Sequence, residues 1–160
     1  MSVRKLKHDW NTLEDYLSVH QQVWKKYDLW QATGKPFYST IYYTDQYLEL
    51  KTERFFLTTH KGTVVRIDIR KEVEIDDTRG KKKVARTFGY SYSCNLPSQS
   101  RSERGKVLLR YCSPHPPKED EPVHHPYHHR HDGMGNVKII SDENDIPHVS
   151  EFLDEVLNSF

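Results

Sequence analysis

Cysteine is scarce in this chain. Cys94 and Cys112 are its two, and neither belongs to a CxxC pair. That argues against a disulfide framework and against a cysteine-based zinc knuckle. Long apolar runs are also missing. No stretch approaches the ~18 apolar residues of a membrane helix, and the opening MSVRKLKHDW has no apolar segment of a signal peptide. The expectation is a reduced, soluble, cytoplasmic protein with no membrane partner. Neither charge sign dominates: 24 basic and 23 acidic residues leave a formal net charge of +1. Nucleic-acid binding through bulk charge is thereby disfavoured, and a local basic surface remains open. There is no internal repeat and no HExxH zinc element.

Aromatic residues are well represented. Phe, Trp and Tyr make up 12% of the chain against 35% apolar residues in all, and rings bury large areas each, so a core can form. The length of 160 residues fits one domain, 1–160. Residues 10–33 predict a long N-terminal helix, with Thr12 as N-cap and Leu13, Tyr16, Leu17, His20, Trp24, Tyr27 and Trp30 on one face. Gly34 and Pro36 end it. Residues 37–112 predict an antiparallel sheet of about four to six strands, separated by turn signals such as HKG and DDTRG. Residues 113–136 read as a long loop rich in proline and histidine. Residues 146–159 read as a C-terminal helix with Ile146, Val149, Leu153, Val156 and Leu157 on one face. The fold class is α+β.

The segment PVHHPYHHRHDG carries the chemistry. Five of the ten histidines fall between His124 and His131. Histidine takes and gives protons near neutral pH. Cleaving RNA without a metal needs one group to deprotonate the 2′-OH, another to protonate the leaving oxygen, and a cation beside the phosphorane. Histidines, Arg110, Arg130 and the tyrosines 90, 92, 111 and 127 offer those types. A metal-dependent phosphodiesterase or nuclease would use the same region. His124, His125, His128 and His129, with Asp132, could ligate a divalent ion such as zinc or manganese, since 124/128 and 125/129 are each four apart. Pro126 works against a helix through them, and on an extended segment His129 and His131 share a face instead. A third reading is a non-catalytic module that docks a partner through the aromatic helix.

The blocks FGYSYSCN, LLRYCSPH, PVHHPYHHRHDG and VSEFLDEVL resemble, in order, those of the TumE-type toxins of toxin–antitoxin systems, over about residues 40–157. The resemblance implies an endoribonuclease that acts on RNA without a cofactor and is neutralised by a cognate antitoxin. It carries over to Tyr90, Tyr92, Arg110, Tyr111, His115, His128, His129 and His131, with Arg130 in place of a lysine. Ser93 stands where the family often has histidine, and Cys112 and Ser113 stand where it has acidic and amide residues. On this basis His128 and His129 are expected as the acid–base pair, with His131 and His115 as alternates. Arg110 and Arg130 would hold the phosphate, and Tyr90, Tyr92 and Tyr111 would position it or a base. Part of the aromatic helix face, at Trp24 or Trp30, would dock the antitoxin or a second copy.

Overall fold

The computed structural model describes residues 3, 6, 10–98, 105–114, 128–141 and 146–160. Its centre is one antiparallel sheet, of eight strands among the described residues. Strand β1 (Asn11–Thr12) leads into helix α1 (Leu13–Lys26) and a short α2 (Leu29–Thr33). Six strands follow, β2 (Ser39–Thr44), β3 (Tyr47–Thr58), β4 (Val64–Asp76), β5 (Val84–Asn95), β6 (Val107–Cys112) and β7 (His128–Asp132). Strand β8 (Val137–Ser141) and helix α3 (Val149–Ser159) complete the chain. Each strand from β2 to β8 pairs with its neighbour in sequence, and β1 adds to β5. The α+β class and the meander are as expected from sequence. The strand number exceeds about four to six, because β1 and β7 form inside segments expected to be a helix and a loop.

The N-terminal helix is shorter than expected. Thr12 caps it through a 3.1 Å bond from the Asp15 amide, and Trp10 lies outside it, its ring under the Arg79 and Arg86 guanidinium groups. The helix stops at Tyr27, and Asp28 adopts a left-handed backbone (φ 51°, ψ 45°) before α2 begins. Aspartate is among the few residues that visit this region routinely, so the break needs neither glycine nor proline. At the other end His148 and Glu151 form a reciprocal capping box that starts α3 after Pro147.

Period-two alternation decides what faces where. Along β4, Val65, Ile67, Ile69, Val73 and Ile75 point toward the helices, and along β5 so do Tyr90, Tyr92 and Cys94. Tyr16, Val23 and Trp24 of α1 and Phe152, Leu153 and Val156 of α3 cover that face and close the core. Lys71 occupies an inward position of β4 and is 1% exposed. Its Nζ lies 2.9 Å from His20 Nε2, and no carboxylate among the described residues pairs with it. The opposite sheet face carries Glu49, Arg66, Asp68, Ser93 and Asn95, all polar and all buried.

Candidate active site

The polar sheet face gathers side chains by strand register. Asp68 on β4 pairs with Ser93 on β5, Ser93 with Arg110 on β6, and Arg110 with His131 on β7. The adjacent row on the same face runs Arg70, Ser91, Cys112, His129. Paired strands lie about 4.7–4.9 Å apart, so four residues in a row are close neighbours in succession. Asp68 is ion-paired with Arg66, whose Nη2 donates to Oδ1 at 3.4 Å, and the same oxygen accepts from the Arg54 backbone amide at 2.9 Å. Arg54 has a left-handed backbone (φ 57°) at the bulge in β3, which turns that amide toward the carboxylate. Arg110 Nη2 lies 3.3 Å from His131 Nε2. A guanidinium has donors only, so His131 Nε2 is the acceptor in this contact. The His129 and His131 rings meet edge to face with centroids 4.8 Å apart. One potential ligand atom from each of Cys112, His129 and His131 falls within 4.8 Å of the other two.

The expected site residues are therefore divided between two faces. Consecutive residues of a strand point opposite ways, and the bulge at this point of the β7–β8 pair falls on β8, because His128 pairs with Ser141 and His129 with Ile139. His128 turns to the core face, where its Nδ1 lies 2.8 Å from the Tyr90 hydroxyl and its ring stacks on that of Tyr90. His129 turns to the polar face. The pair His128/His129 expected from sequence is thus not brought together, whereas His129, His131 and Arg110 are.

The remaining residues expected to bind substrate serve packing. Arg130 Nε donates to Glu155 of α3 at 2.6 Å, and the Tyr111 hydroxyl donates to the same carboxylate. The Tyr92 hydroxyl donates to the Pro147 carbonyl at 3.3 Å. Burial raises the Tyr90 and Tyr92 hydroxyls far above their ordinary range, and burial followed by the Glu155 carboxylate does the same for Tyr111. None of the three is poised to lose a proton. Asp132, considered as a ligand, accepts from Asn136 and from the Met134 and Asn136 amides in the β7–β8 turn, and these bonds hold its carboxyl low. His115, His124, His125 and Tyr127 lie outside the described residues.

Arg66 and Asp68 went unremarked as site residues in the sequence. Their signal was the alternation itself: in VVRIDIRKEVEID the residues between the apolar ones on β4 are Arg66, Asp68 and Arg70. Of the three residues that depart from the resemblance, Ser93 and Cys112 lie in the rows described above.

The fold and this face together define a helix-backed antiparallel sheet protein whose other face carries imidazole, guanidinium and thiol groups. Comparison with protein-family models, with curated proteins and with solved structures finds no match. Among the described residues no helix is long and apolar enough to cross a membrane.

Proposed function

We propose that this protein is an endoribonuclease, the toxin of a toxin–antitoxin pair, which cuts RNA on the polar face of its sheet. One observation carries the reading: strand register sets Arg110 beside His131, and His131 against His129. His131, with its Nε2 lone pair facing the guanidinium, is the general base toward the 2′-OH. His129 is the acid toward the leaving 5′-oxygen. Arg110 exchanges its bond to His131 for the scissile phosphate, which a guanidinium grips in bidentate fashion. This assignment keeps two of the histidines expected from the sequence and moves the pair from 128/129 to 129/131. The antitoxin is a protein, and Trp30, 61% exposed, belongs to the surface it docks on.

The test uses purified protein on single-stranded RNA, with and without EDTA. Cleavage through the 2′-OH leaves a 2′,3′-cyclic phosphate or its hydrolysed form and persists in EDTA, and DNA stays intact. Cutting of DNA, or 5′-phosphate ends, would overturn the mechanism.

A further inference from the structure

We propose that Cys112, His129 and His131 form a three-ligand site for a zinc-class cation, with a fourth coordination position open to a small anion. The inference does not depend on the RNA reading, but it draws on the same His129 and His131 imidazoles, so the metal-loaded chain is a state in which neither serves as acid or base.

The trio is built by pairing rather than by loop placement. Cys112 and His129 are direct cross-strand partners, and directly opposite side chains have Cβ atoms about 4.5–5.5 Å apart. His131 follows two residues along the same strand and so returns to the same face. The three ligand atoms already lie within 4.8 Å of one another. Zn–S bonds of about 2.3 Å and Zn–N bonds of about 2.0–2.1 Å set tetrahedral ligand atoms about 3.3–3.6 Å apart. The difference left for side-chain rotation to close is at most about 1.5 Å.

The donor set selects the ion. One thiolate and two imidazoles suit a borderline-soft cation, and magnesium or calcium would require oxygen ligands. Three protein ligands with one vacancy is the pattern of a zinc that meets an exogenous group, and a closed structural site would use four. Cys112 and His129 are buried and His131 is half-buried, so the vacancy opens on the His131 side. Arg110, 3.3 Å from His131 Nε2, releases that lone pair to the metal and faces the anion at the vacant position. Binding takes the thiol proton of Cys112 into solvent, which makes affinity rise with pH. Cys94, the other thiol, belongs to the core on the helix-covered face, and burial pushes it up to about 12. It takes no part.

The experiment titrates cobalt(II) into the full-length, phosphine-reduced, metal-free chain, with zinc as competitor. The expected result is one equivalent bound, with a thiolate-to-cobalt charge-transfer band that zinc abolishes. Cys112→Ser removes the band and, like His131→Ala, weakens binding at least about 100-fold. Cys94→Ser leaves the spectrum unchanged. The melting temperature of each variant is measured alongside. If Cys112→Ser proves unfolded, His131→Ala, at a half-buried position, carries the decision. The proposal is overturned if the wild type gives no charge-transfer band. It is equally overturned if both variants bind like the wild type, or if binding is lost in a His124→Ala/His125→Ala double variant while Cys112→Ser retains it.

Discussion

Replacing Lys71 by methionine should stabilise this protein, and by an amount that depends on pH. Val65, Ile67, Ile69, Val73 and Ile75 occupy the other inward positions of β4, and Lys71 is 1% exposed among them. Its Nζ meets His20 Nε2 at 2.9 Å and lies 5.9 Å from the ring centroids of both Tyr16 and Tyr92. His20 Nδ1 donates to the Tyr16 carbonyl at 2.7 Å, which leaves Nε2 as an acceptor for the amine. Removal from water pushes Lys71 from its ordinary 10.5 down to about 7. The amine is thus charged in the unfolded chain below about pH 10.5 and neutral in the folded chain above about 7. Across that window the unfolded state binds more protons, so stability rises with pH.

Integrating the linkage, Lys71 alone should add roughly 1–2 kcal/mol between about pH 7 and about pH 8.5. The whole shift corresponds to roughly 5 kcal/mol below about pH 7. His20 is also pushed well below its usual range, by burial and then by the Lys71 charge. It therefore costs stability as pH falls through about 6.5, below the chosen window. Lys71→Met keeps most of the volume, removes the ionisation, and leaves His20 Nε2 without its donor, which costs about 1–3 kcal/mol. The net gain is then expected to be about 2 kcal/mol near pH 7 and to shrink toward pH 8.5. Urea denaturation of both proteins across this range reads the slope directly. A wild-type stability that is flat or falls between these pH values, or a Lys71→Met curve parallel to it, refutes the reasoning.

His131→Ala should lose ~10²–10⁴ of RNA cleavage with little change in melting temperature, and His128→Ala should do the reverse, costing about 1–3 kcal/mol for the buried bond to Tyr90. Paired cleavage and denaturation measurements on the two variants check this. Trp24→Ala should cost about 3–5 kcal/mol, because Trp24 is buried and donates to the Lys35 carbonyl. Trp30→Ala should stay within about 0.5 kcal/mol in the same denaturation assay yet weaken antitoxin binding by about 2 kcal/mol in titration calorimetry. Glu155→Ala should release both Tyr111 and Arg130 from α3 and cost about 1–3 kcal/mol in urea, with no effect on cobalt binding.

Local pattern was enough for the elements whose cause is local. Thr12 as a helix cap, the alternation along β4 and the stripe of α3 are properties of adjacent residues, and each is legible in the letters. The break at Asp28 was not, because a left-handed aspartate leaves no composition signal as glycine or proline does. The segment HHRHD illustrates the limit most sharply. Its alternation already put His129 and His131 on one face and His128 on the other once it was extended, and the sequence could state this only conditionally. Its partners were non-local: β6 and β8 supply the hydrogen bonds that make it a strand. Which face the helices cover depends in turn on apolar residues more than a hundred positions apart, from Tyr16 to Phe152.

The sequence by itself determined the α+β class, the meander of the strands within 37–112 and the kinds of chemistry on offer. Short connections force neighbouring strands to pair, and residue types do not depend on context. Only the tertiary structure decided which groups meet. Burying the apolar side of β4, β5 and β6 under α1 and α3 sends Tyr90, Tyr92, Tyr111 and His128 into the core. The same act commits Asp68, Ser93, Arg110, Cys112, His129 and His131 to a common opposite face, because a strand has two sides and the hydrophobic effect chooses between them.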